Sequence, residues 1–333
     1  MSSGSSSILQ LGLQSFHDLG IEFLATVLGS GPTGQTSVIC GLNDGSLQTA
    51  FFLNPYEPEA CAGSDWVVIA LLAVIAHAVS WLPRWYIYEP LANFRMKEHK
   101  LWNEQEAKRF SQSCTSALFF TLSAFFASCI LLPKDWLFER SAWPERGPLI
   151  DADYKFYYLL YAGRFCSDCV SLFYEERKQD AFIAALLHHL VTLGLVLGSA
   201  NVGHIRYGGI IMFFFDWADI PLLSAKICKY LSKSPDDLFQ FTANRLFEFF
   251  AVLYFCTRNC YYNYVVYAAW ADLSSDWVNR GCQYLLLLLV VLQTYWLILI
   301  IRVAIRQAEN NGNAADIRDE PAEGLKTAKK VQQ

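Results

Sequence analysis

Several separated runs of about 20 mostly apolar residues constrain this chain more than any other feature, because that is the length of helix needed to cross a hydrocarbon core roughly 30 Å thick. The runs lie near residues 66–82, 113–132, 154–174, 181–200, 206–225, 241–260 and 283–302. Lipid offers no hydrogen-bond partner to a backbone amide, so segments of this length must close their own bonds as helices. The expected architecture is therefore all-α, a multi-pass membrane helical bundle of about seven transmembrane helices. Composition agrees: 54% of residues are hydrophobic and 17% are charged, which excludes a disordered chain. A net charge of −5 gives no general reason to bind nucleic acid.

Orientation follows from the basic residues. Alternate connections carry six (83–112), two (175–180), three (226–240) and six (302–333), whereas the opposite side carries only Lys134, Arg140, Arg146 and Arg280. The positive-inside rule then sets the N-terminus in a lumenal or extracellular space and the C-terminus in the cytoplasm. Residues 1–65 hold no Lys or Arg and lack the features of a cleaved leader, so the first span is expected to act as the anchor. The expected organisation is a lumenal segment (1–65), a first span (66–82), a cytoplasmic connector (83–107), a six-span domain (108–306) and a flexible cytoplasmic tail (307–333). Cys40 and Cys61 are the lumenal candidates for a disulfide, while the remaining thiols lie mostly in or beside spans as small packing residues.

Spans three to six carry ionisable groups, each costing roughly 2.5–3.5 kcal/mol on insertion scales. Counting from the cytoplasmic edge at 1.5 Å per residue puts His188 and His189 about 12 and 13.5 Å deep, and Asp216 and Asp219 about 13.5 and 9 Å deep. Arg164 and Asp168 fall at about 15 and 9 Å, and Arg245 and Glu248 at about 6 and 10 Å. One polar layer is expected. Arg164/Asp168 and Arg245/Glu248 are spaced i,i+4 and i,i+3, so structural pairing within each helix accounts for them. Beyond Asp216 and Asp219 span five meets no basic residue until Lys226, so the two acids must look elsewhere, and the level His pair is the expected partner. A carboxylate on one imidazole nitrogen fixes the tautomer and leaves the other free as base or nucleophile.

Six His in the whole chain, two of them in this layer, are too few for a two-metal site, and adjacent His lack the i,i+4 spacing of a helical zinc pair. No metal and no cofactor is expected. Acyl transfer fits better, since a desolvated neutral imidazole can attack a thioester or deprotonate an amine.

The run "RKQDAFIAALLHHLVTLGLVLGSANVGHIRYGGIIMFFFDWADIPLLSAK" resembles the longevity-assurance motif of ceramide synthases, within the TRAM-LAG-CLN8 (TLC) domain family. His188 and His189 match its HH, Arg206 and Gly208 its Arg-x-Gly, Asp216 and Asp219 its two Asp, and Lys226 its closing Ala-Lys. Further likeness lies in "KRFSQSCTSALFFTLS" from Lys108, Trp143–Pro144, "CTR" at 256–258 and "LQTYW" at 292–296, over roughly residues 84–306. The resemblance implies a TLC-type multi-pass enzyme of the endoplasmic reticulum membrane that joins a fatty acyl group from acyl-CoA to a sphingoid base. On that reading His188 is base or acyl acceptor, His189 supports it, and Asp216 and Asp219 orient imidazole and hold the sphingoid ammonium. Arg177, Lys178, Lys226 and Lys229 lie at the cytoplasmic mouth, where they meet CoA phosphates or simply obey the charge rule. Expected partners are acyl-CoA, sphingoid base and membrane lipid, with homo- and hetero-oligomers left open.

Two departures stand out. The pattern's His before the first Asp is Phe215 here, and the acid of its Arg-Lys-Asp is displaced by one residue to Asp180. They motivate two rival readings: a non-catalytic TLC-domain partner or lipid sensor, and an acyltransferase with a different acceptor.

Overall fold

A computed structural model describes residues 42–43, 46–49, 64–99, 102–145, 150–175, 182–232, 237–273 and 277–309. Cys40, Cys61, Arg177, Lys178, Asp180 and the tail from residue 310 lie outside the described residues. Helices dominate: α1 Ser64–Pro83, α2 Glu89–His99, α3 Glu104–Leu131, α4 Ala152–Glu175, α5 Phe182–Val202, α6 Ile205–Leu231, α7 Leu238–Tyr254, α8 Tyr262–Asp272 and α9 Trp277–Glu309. Very short strands, β1 Leu42–Asn43, β2 Ser46–Thr49 and β3 Ile150–Asp151, pair antiparallel in that order.

Each expected span falls on a helix, but the helices overrun the hydropathy limits. Between α7 and α8 the turn widens into a π-helix, Phe255–Tyr261, so helix continues to Asp272 where the apolar run suggests a loop from residue 261. Among the described residues, four stretches are long and apolar enough to cross a membrane: Asp65–Arg95, Glu104–Leu131, Phe182–Ala200 and Trp277–Glu309. The other long helices are the charged ones, α4, α6 and α7–α8. The molecule is a helical membrane protein.

The chain divides into two compact units, one of residues 1–78, 125–213 and 265–289, the other of 79–124, 214–264 and 290–333. In the first, α4 lies close against α1. A Cβ added at Gly163 would meet the Ala73 amide and Leu72 Cβ at 2.9 Å, so the backbones approach as small residues permit in membranes. Beside this contact Lys155 pairs with Asp65 at 2.8 Å, both side chains fully buried. A tyrosine stripe on α4 fixes the junction of α5 and α6. Tyr154 and Tyr158 donate to the Ile205 carbonyl at 2.8 and 2.7 Å, and Tyr161 donates to the Met212 carbonyl at 3.3 Å. The junction is a Schellman turn: Gly203 takes φ 78° and His204 N–H bonds the Ser199 carbonyl at 3.0 Å.

In the second unit α3 starts from a reciprocal cap. Asn103 Oδ1 accepts from Glu106 N–H at 2.9 Å while Asn103 N–H donates to Glu106 Oε2 at 2.8 Å. Nearby, Trp102 donates its indole N–H to the Tyr230 carbonyl at 2.8 Å, over a small core of Ala92, Ala107, Phe110 and Tyr230 that holds the end of α6.

Candidate active site

His188 and His189 belong to the first unit. Both stand on α5 with ring centroids 5.4 Å apart, and both edge the Phe165 ring of α4, at 6.4 and 5.6 Å. Adjacent helical residues diverge by about 100°, and the broad aromatic ring reaches both. Each His is partly exposed, so the pair is not sealed in packing. Beside Phe165 on α4, Arg164 lies 3.5 Å from Asp168 and stacks over the Tyr161 and Phe165 rings at 5.5 and 5.8 Å. The i,i+4 pair expected from spacing is therefore present, and aromatic faces take up the rest of the guanidinium. His77 of α1, which the depth count leaves out of the polar layer, meets Ser167 of α4 at 3.3 Å.

Asp216 and Asp219 belong to the second unit and have partners that spacing does not suggest. Ser123 Oγ of α3 donates to Asp216 Oδ2 at 2.5 Å. Arg258, at the centre of the π-turn, donates to Asp219 Oδ2 at 2.7 Å and to the Phe215 carbonyl at 3.2 Å. Its side chain is only 8% exposed and that of Asp219 22%. The guanidinium carbon sits 4.3 Å above the Phe215 ring and 5.3 Å from that of Tyr254. Tyr254 is itself fixed, donating to Gln293 on α9 through the carbonyl oxygen (3.0 Å) and Oε1 (2.7 Å). Arg245 and Glu248 pair at 2.7 Å on the exposed face of α7, as their spacing requires.

Arg258, from α7–α8, is a partner of Asp219 to which the sequence does not point. The reason is physical. Arg258 stands well along its span, away from the layer that the depth count picks out, and only the packing of its helix beside α6 brings the guanidinium to Asp219. Nothing in "LYFCTRNCYY" announces a π-turn, since it has neither Pro nor Gly. Ser123, Tyr254 and Gln293 are equally hidden, each being an ordinary span residue until a neighbouring helix is known. Lys226 and Lys229 lie half-buried near the end of α6.

These features define a helical membrane protein whose long helices carry charged groups. The particular family comes from comparison: the family model described as the TLC domain matches residues 109–302, so the chain belongs to the TLC-domain family. Among curated relatives it is 27% identical over 224 residues to mouse ceramide synthase 4, covering 65% of this chain and 55% of that one. It is 30% identical over 179 residues to mouse ceramide synthase 3 (53% and 43% covered) and 23% over 303 residues to a tomato ASC1-like protein (82% and 96%). The chain thus spans about half the length of these mouse relatives.

Proposed function

We propose that the protein is a ceramide synthase, N-acylating a sphingoid base with a fatty acyl group from acyl-CoA. The observation that carries this is the TLC-family match over the segment holding both the His pair and the Asp pair, among relatives named ceramide synthase. The chemistry uses His188 as base or acyl acceptor. In direct transfer the amine nitrogen attacks the thioester carbonyl carbon. The bound ammonium first gives up one proton to solvent; the C–N bond then forms as the C–S bond breaks, one proton of the neutral amine passes to His188, and the CoA thiolate leaves and takes that proton. His189 supports the imidazole, and Asp216, held by Ser123, and Asp219, held by Arg258, offer carboxylates to the sphingoid ammonium. Lys226 and Lys229, with Arg177 and Lys178, meet CoA phosphates as point charges. The protein crosses the endoplasmic reticulum membrane seven times, with its N-terminus lumenal and its C-terminus cytoplasmic.

The test is acyl transfer in microsomes from a host lacking its own ceramide synthases, given acyl-CoA and sphingoid base. Ceramide from the wild type, lost in His188→Ala, supports the reading. Absence of ceramide from well-inserted protein across acyl chains and bases favours the partner or sensor role that Phe215 motivates. A different acylated product, identified by mass spectrometry, favours another acceptor.

A further inference from the structure

The residue at 215 departs from the pattern the chain resembles by losing an imidazole, yet its ring is not idle. Arg258 lies 4.3 Å above it, donates to its own carbonyl at 3.2 Å, and from that seat reaches Asp219 at 2.7 Å. Tyr262 packs against the same ring at a centroid distance of 5.4 Å, and Tyr254 supplies the second aromatic neighbour of the guanidinium. A buried arginine with one carboxylate partner has several N–H groups left over, and an aromatic face is the surface that accepts a cation without a hydrogen-bond acceptor. A neutral imidazole in place of the phenyl ring is a poorer such face, and a protonated one repels the guanidinium.

We propose that Phe215 and Arg258 act as one positioning unit, in which the ring holds the guanidinium in the orientation that fixes the Asp219 carboxylate. An aromatic ring that seats a permanent cation then stands where the pattern has a titratable imidazole. The assignment deepens the acyl-transfer reading and rests on it for the meaning of Asp219. It turns the most conspicuous departure from the motif into a working part of the site.

Two measurements on the full chain test it. In the microsomal assay, Phe215→Leu and Arg258→Lys lower kcat about tenfold with KM for acyl-CoA within about twofold of wild type, the size of a lost cation–π seat. Phe215→Tyr and Phe215→Trp recover most of that loss, to within about threefold of wild type, because both keep an aromatic face. Phe215→His falls with Phe215→Leu. Wild-type kcat in Phe215→Leu, or a kcat above wild type in Phe215→His, overturns the proposal. The second measurement needs no activity: unfolding midpoints of detergent-purified Phe215→Leu, Arg258→Met and the double variant at one scan rate. Coupling between ring and cation makes the double shift smaller than the two single shifts combined by about 2–4 °C. Additive shifts overturn the pairing. If the wild type makes no ceramide, the functional reading fails by itself, and the midpoint cycle still decides whether Phe215 seats Arg258.

Discussion

Charge on the long helices is answered in two different ways, within one helix and between helices. In the first, Arg164 answers Asp168 on its own helix and spreads its remaining surface over Tyr161 and Phe165. In the second, Asp219 and Asp216 are answered from other helices, by Arg258 and by Ser123. A pair on one helix forms wherever the helix forms, so it says little about how helices are arranged. A pair between helices exists only in one packing of the chain, and it therefore specifies that packing as well as neutralising a charge. The same contrast separates Arg245/Glu248, which is local and exposed, from Asp65/Lys155, which joins α1 to α4 with both side chains buried.

Substitutions put this contrast to the test. The largest effect is expected from His188→Ala, which should cost 10²- to 10⁴-fold in turnover, the range of a lost acid–base group, with insertion unchanged when read by membrane fractionation. Arg258→Leu, removing one member of the buried inter-helix pair, should destabilise the protein by about 3–5 kcal/mol in denaturant unfolding, because Asp219 is left desolvated. Gly163→Leu forces a side chain toward the α1 backbone, which lies 2.9 Å from where a Cβ would stand, and should cost about 1–3 kcal/mol by the same measurement. Arg245→Ala removes only a local exposed pair and should change stability by less than about 0.5 kcal/mol. Equal losses from Arg258→Leu and Arg245→Ala would erase the distinction between the two kinds of pair.

What is legible in the sequence divides along the same line. The helices are readable because apolar runs and helical hydrogen bonding are local matters, and each expected span lies on a helix. The pairs Arg164/Asp168 and Arg245/Glu248 are readable because i,i+3 and i,i+4 neighbours meet in any helix. Helix ends are not: α3, α6 and α8 extend past the apolar stretch, where caps such as Asn103/Glu106 and tertiary contacts such as Trp102 to Tyr230 decide the boundary.

Arg258 shows the limit most clearly. It is visible as part of "CTR", but its role depends on a π-turn with no sequence signal and on the register of α7–α8 beside α6. Phe215 likewise reads as a loss until the guanidinium is seen on its ring. That this chain crosses a membrane as helices, which residues inside it carry charge, and that His188 and His189 stand side by side all follow from the amino-acid order, because they depend on composition and the helical repeat. Which charge answers which across helices follows from the folded arrangement alone, because those pairings depend on the tilt, extension and register that packing sets.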